Sequence, residues 1–140
     1  MNDNIEVKIR YLEMIQNIMT RMSTNSFMLK GWAVTLIAGI FALSAKEANP
    51  MYFLLAYVPA ILFWLLDAYY LMLERQYKHL YNLSTEKAVS DIDFKIKRPK
   101  ANWENKTCYC QCLMSTTELF FYVPTAILVA IVVILGQNIL

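Results

Sequence analysis

Three long apolar runs separated by polar or basic stretches set the pattern of this chain. The first runs from about Phe27 to Ala45, the second from Met51 to Leu73 and the third from Leu119 to Leu135. Each falls within the roughly 17–25 residues with which an α-helix crosses the hydrocarbon of a bilayer. Ahead of them, Asp3 to Ser26 carries a helical period. Ile5, Leu12 and Met19 recur at heptad spacing, Ile9, Ile15 and Met22 fill the adjacent stripe, and Glu6, Arg10, Glu13, Gln16 and Asn17 occupy much of the rest. No Pro or Gly interrupts this pattern before Gly31, so the helix is expected to run straight into the first span.

The predicted fold is an all-α membrane protein: three transmembrane helices preceded by an amphipathic cytosolic helix. Its parts are residues 1–26 (amphipathic helix), 27–45 (first span), 51–73 (second span, extended into the cytosol to about 83), 84–118 (a basic loop or small ordered cap) and 119–135 (third span). The N-terminal helix has three readings: a stalk packed on its neighbours, a helix lying in the membrane surface, or a parallel self-association seam that gathers subunits.

Composition agrees. Of 140 residues, 58% are hydrophobic, above the roughly 45–50% of soluble domains. The net charge of +2 is too small to argue for nucleic-acid binding, but its distribution is informative. Lys8, Arg10 and Arg21 precede the first span, and Arg75, Lys78, Lys87, Lys95, Lys97, Arg98, Lys100 and Lys106 lie between the second and third. The first connection holds only Lys46 and the C-terminal tail no base. The positive-inside rule then places the N-terminus in the cytoplasm and the C-terminus outside. A signal peptide is disfavoured, because a long polar segment precedes the first run and Leu43 stands where a small residue is needed before a cut after Ala45.

Lys46 to Pro50 is too short for anything but an antiparallel hairpin, while Pro59 and Pro124 each remove a helix hydrogen bond and are expected to bend their spans. Two charges interrupt the apolar runs: Lys30 in the first and Asp67 in the second. An ionisable group at such a position is costly in lipid and faces protein or a watery cavity. Counting from a turn centred near Ala48, Lys30 lies about 18 residues before it and Asp67 about 19 after it, so at about 1.5 Å per residue they share one depth. Glu118, at the entrance of the third span, falls at a similar level. Lys30, Asp67 and Glu118 are therefore expected to cluster, either as a device that fixes helix register or as charges that line a path or latch a closed state. Trp32, Trp64, Tyr69, Tyr70 and Tyr77 suit an interfacial aromatic belt.

The segment Asp93 to Trp103 mixes bases with aromatics. Lys95, Lys97, Arg98, Lys100 and Trp103 are candidate contacts for an anionic, nucleotide-type ligand, although bases beside a bilayer also attract headgroups and set topology. Cys108, Cys110 and Cys112 alternate in a spacing that matches no standard zinc site, and His79 is the chain's one histidine. In the cytosol these thiols stay reduced. No P-loop, nucleophile elbow, paired-His motif or dinucleotide fingerprint occurs, so neither enzymatic activity nor a cofactor or metal is expected.

The stretches Asn25-Ser26-Phe27-Met28-Leu29-Lys30-Gly31-Trp32-Ala33-Val34-Thr35-Leu36 and Phe63-Trp64-Leu65-Leu66-Asp67-Ala68-Tyr69-Tyr70-Leu71, with Glu74-Arg75 after them, resemble small bacterial proteins of two or three spans encoded in anti-phage defence operons. The resemblance covers Arg21 to Leu83; the third span and the cysteine segment add nothing to it. It implies an effector of the bacterial inner membrane that compromises that membrane when a nucleotide signal or infection cue changes, with a nucleotidyltransferase or another phage sensor as its partner. A Hailong-type channel controlled by an oligodeoxyadenylate is one candidate, an effector of a cyclic-nucleotide system another. Three spans enclose no evident pore, so conduction would need a homo-oligomer. The competing expectation is a non-conducting membrane anchor that recruits a cytosolic partner.

Overall fold

The computed structural model of the chain describes residues 2–47, 50–89, 96–102, 104 and 106–139. It consists of α1 (Asn2–Glu47), a 3-10 segment (Pro50–Ala56), α2 (Tyr57–Glu86), a short α3 (Tyr109–Leu113) and α4 (Thr116–Ile139), with no strand among the described residues. Three of these helical stretches, Ile5–Ser44, Phe53–Glu86 and Thr116–Leu135, are long and apolar enough to cross a membrane.

The 46 residues of α1 form one helix. At about 1.5 Å per residue that is roughly 70 Å, more than twice the roughly 30 Å of bilayer hydrocarbon. Its inner face reads Tyr11, Ile15, Met22, Ser26, Lys30, Ala33, Ile37 and Ser44, all buried except the partly buried Ser26 and Lys30. The steps of three, four and seven keep these positions on one side of a helix. This departs in part from the sequence expectation: Ile15 and Met22 point inward, whereas Ile5 and Ile9 are 52% and 49% exposed. The reason is packing. The inward face is set by Met72 and Leu73 of α2 and Cys112 of α3, which cluster with Met22.

In α2 the proline expected to bend the second span does not sit mid-helix. Pro59 lies in the first turn, where a missing N–H costs no intrahelical bond, and the preceding turns are 3-10. Pro124 is inside α4. Beyond the apolar stretch α2 continues to Glu86, and Lys8 Nζ of α1 ties that end down through the carbonyls of Thr85 (2.9 Å) and Lys87 (2.8 Å). Where described, the segment between α2 and α4 includes α3 and is bonded to α2. Thr107 N–H donates to the Asn102 carbonyl (3.1 Å), and Gln76 Nε2 donates to the Thr107 carbonyl (3.3 Å).

Two apolar clusters hold the long helices together. One joins Ile37, Ala56, Ala60, Val129 and Val133; the other joins Met22, Met72, Leu73 and Cys112. Outward positions such as Leu43, Leu54, Ile61, Phe120, Ile127 and Ile131 are large, apolar and exposed, while Asp67, Gln76 and Glu118 are buried. A water-soluble bundle arranges these the other way round. A hydrocarbon surround accounts for this distribution.

Candidate functional site

Between the two apolar clusters lies a polar layer to which each of the three long helices contributes. Ser26 and Lys30 stand one turn apart on α1, Asp67 is on α2, and Glu118 and Tyr122 stand one turn apart on α4. Lys30 Nζ pairs with Asp67 Oδ2 and reaches Glu118 Oε1 at 3.4 Å. Ser26 Oγ donates to Asp67 Oδ1 and accepts from Lys30 Nζ at 3.2 Å. Tyr122 Oη donates to Asp67 Oδ2 at 3.2 Å. Ala33 and Ala68, both buried beside this layer in sequence, put no bulk between the helices.

The side chains of Asp67 and Glu118 are 0% and 1% exposed, and that of Lys30 is 18% exposed. Removing such groups from water costs several kcal/mol per ion, offset only by close pairing and further hydrogen bonds. Asp67 has three donors. Glu118 has one, and its Oε2 is buried with no hydrogen-bond partner among the described residues. Two carboxylates thus share one ammonium. The Lys30 ammonium also lies 5.9 Å from the centre of the Phe121 ring, a cation–π contact.

Lys30, Asp67 and Glu118 are therefore brought together, as their common depth suggested. Ser26 and Tyr122 complete the layer and escape a search for charges. Their signal is spacing: each lies four residues from a charged member and so on the same helix face.

Trp64 is tied into the protein. Its Nε1 donates to the Leu113 carbonyl (3.2 Å) and its ring stacks on Tyr122 at 6.4 Å, so it links α2 to α3 and α4. Trp32, at 59% exposure, faces outward.

Of the candidate ligand residues, Lys97, Arg98 and Lys100 lie among the described residues. Lys95 and Trp103 lie outside the described residues. Lys97 and Lys100 are exposed, whereas Arg98 folds back on α2, with Nε donating to Gln76 Oε1 (2.7 Å) and the guanidinium 5.9 Å from the Tyr69 ring centre. The three thiols are free. Cys110 is exposed and Cys112 buried, and no group of three metal-ligating side chains occurs among the described residues. Burial pushes the Cys112 thiol up from its ordinary value, against the opposing pull of the Arg75 guanidinium.

Compared with known protein families, with curated proteins and with solved structures, the chain matches none. The geometry of its own residues carries the functional reading.

Proposed function

We propose that the chain is a subunit of an oligomeric inner-membrane channel or membrane-permeabilising effector, held closed in this conformation by the Lys30–Asp67–Glu118 layer. The observation that carries the reading is this layer, with its surplus of one carboxylate, set between three apolar helices. A buried ionic junction between helices is a bistable element: intact, it offsets its desolvation; pulled apart, its charges seek water. Because both acids are buried within one subunit, a latch suits them better than a place on an open pore wall.

In this reading the N-terminus and the basic cap face the cytoplasm, as the distribution of Lys and Arg favours. Conduction arises between several copies, and a cytosolic nucleotide-type ligand or partner biases the latch. The anti-phage setting rests on the resemblance of residues 21–83.

The test is conductance of purified protein in liposomes. Wild type is expected to pass ions or release dye only when activated, and Asp67→Asn to do so constitutively. A monomer in detergent that leaks under neither condition would overturn the proposal. That outcome would favour the anchor reading, for which the closed interior of the single subunit is the supporting observation.

A further inference from the structure

Where the apolar stretch of α2 ends, Arg75, Lys78, His79 and Asn82 follow one another at helical spacing on a single face. Across from them stands Lys106, whose backbone is left-handed at φ 54°. Together these five residues line a hollow of about 360 Å³. A second hollow of about 360 Å³ adjoins it, again lined by Arg75 and Lys106 and adding the hydroxyls of Ser115 and Thr116. The two form one groove at the junction of α2, the cap and the start of α4.

Among the described residues, no close carboxylate offsets the groove's Arg75, Lys78 or Lys106. Among the described residues Arg75 is held by neutral acceptors: Nη1 on the Lys106 carbonyl (3.3 Å) and Cys112 Sγ (3.7 Å), Nη2 on Ser115 Oγ (2.7 Å). These bonds orient the guanidinium without neutralising it. Lys106 follows from a loop closed by Asn102 and Thr107, whose hydroxyl accepts from Asn102 N–H at 2.7 Å. Among the described residues no carboxylate lies within 4.0 Å of the charged nitrogens of Arg75, Lys78 or Lys106. Lys78 also borders the hollow that contains Glu74, yet forms no ion pair with it. A non-glycine residue in the left-handed region is sparsely populated and persists where surrounding structure requires it, often at binding sites.

We infer that this groove binds a phosphate-type oxyanion through Arg75, Lys78 and Lys106, with Ser115 and Thr116 as hydroxyl donors. Three cations and two hydroxyls match an anion with several acceptor oxygens better than a single carboxylate. Arg75 follows Asp67 by eight residues, about 12 Å along the helix. That is near the end of the apolar stretch, so a headgroup phosphate and a soluble phosphate are both within reach. The site is separate from conduction: a protein that conducts nothing binds the anion equally well.

The test uses full-length protein in phosphatidylcholine nanodiscs, titrated calorimetrically with inorganic pyrophosphate. A parallel measurement quantifies phosphatidylglycerol retained by the protein after extraction from mixed vesicles. Lys78→Gln combined with Lys106→Gln changes exposed side chains only, and far-UV circular dichroism confirms retained helix. Arg21→Gln with Lys87→Gln, at two exposed bases outside the groove, is the charge-matched control. The expected result is a tenfold or greater loss of pyrophosphate affinity in the groove variant and little change in the control, which identifies a soluble phosphate. Selective retention of phosphatidylglycerol, lost only in the groove variant and without pyrophosphate binding, supports the site with a headgroup as its occupant. If groove and control variants behave alike in both measurements, the inference is wrong.

Discussion

Lys30 of α1 and Glu118 of α4 are separated by 88 positions in the chain, yet their charged atoms stand 3.4 Å apart between the long helices. Asp67 meets the same ammonium from α2. One lysine thus holds a carboxylate from each of the other two candidate spans.

Asp67→Asn strands the Lys30 ammonium with Glu118 as its sole carboxylate and takes the charged acceptor away from Ser26 and Tyr122. A loss of about 3–5 kcal/mol is expected, the usual result of breaking a buried pair. Combining Lys30→Met and Asp67→Leu with Glu118→Gln removes all three charges, and its loss is expected to be much smaller. Thermal unfolding in detergent measures both. Equal losses in the two variants would argue against a paired origin for the effect.

Glu118→Gln is predicted to act in the opposite sense from Asp67→Asn. It leaves one ammonium facing one carboxylate and gives the orphaned Oε2 position a donor that can reach Asp67. The expected change is neutral to stabilising by about 1 kcal/mol, of the order of one net hydrogen bond. A loss comparable to that of Asp67→Asn would mean that both carboxylates are needed.

Tyr122→Phe deletes the 3.2 Å bond to Asp67 but keeps the ring that stacks on Trp64. About 1 kcal/mol of destabilisation is expected. If the proposed latch is correct, leak from liposomes should rise in the order wild type, Tyr122→Phe, Asp67→Asn; a flat series would separate the layer from gating.

Thiol labelling tests the cap. Cys110 is exposed and should alkylate quickly, while Cys112 is buried and, with its thiol raised, should react slowly until the pH climbs above the ordinary thiol range. The sign of the linkage follows: burial of the neutral Cys112 thiol contributes fully at pH below the unfolded thiol's value and is lost as pH rises through the folded one. Arg75→Gln removes the guanidinium that draws this thiol down and ties Cys112 to Lys106 and Ser115. Mass spectrometry of labelled peptides should show faster modification of Cys112 in that variant through loosening of α3. Unchanged labelling would mean that Arg75 does not hold the cap.

Much of the architecture was readable from residue order because lipid leaves few choices. Backbone groups in hydrocarbon must be satisfied within the segment, so a long apolar run implies a helix. Counting from the hairpin turn places Lys30 and Asp67 at one depth for the same reason. The facing sides are less accessible to counting, though the small or polar positions Ser26, Ala33, Ala60 and Ala68 trace the inner faces once the layer is seen. The short α3 left no periodic signal, being one turn of Tyr, Cys and Gln held by Trp64 and Arg75 from elsewhere in the chain. The Arg75–Lys106 groove is likewise invisible in one dimension, since its two walls meet only after the cap folds back on α2.

The single helix from Asn2 to Glu47 has a mechanical meaning. A continuous helix is a stiff beam, and this one is fastened near one end, by Lys8 on the tip of α2, and part-way along, by Lys30 in the polar layer. With no hinge between those fastenings, a sideways push near Lys8 turns the whole rod. The displacement arrives some 33 Å away, at about 1.5 Å per residue, as leverage on the ammonium.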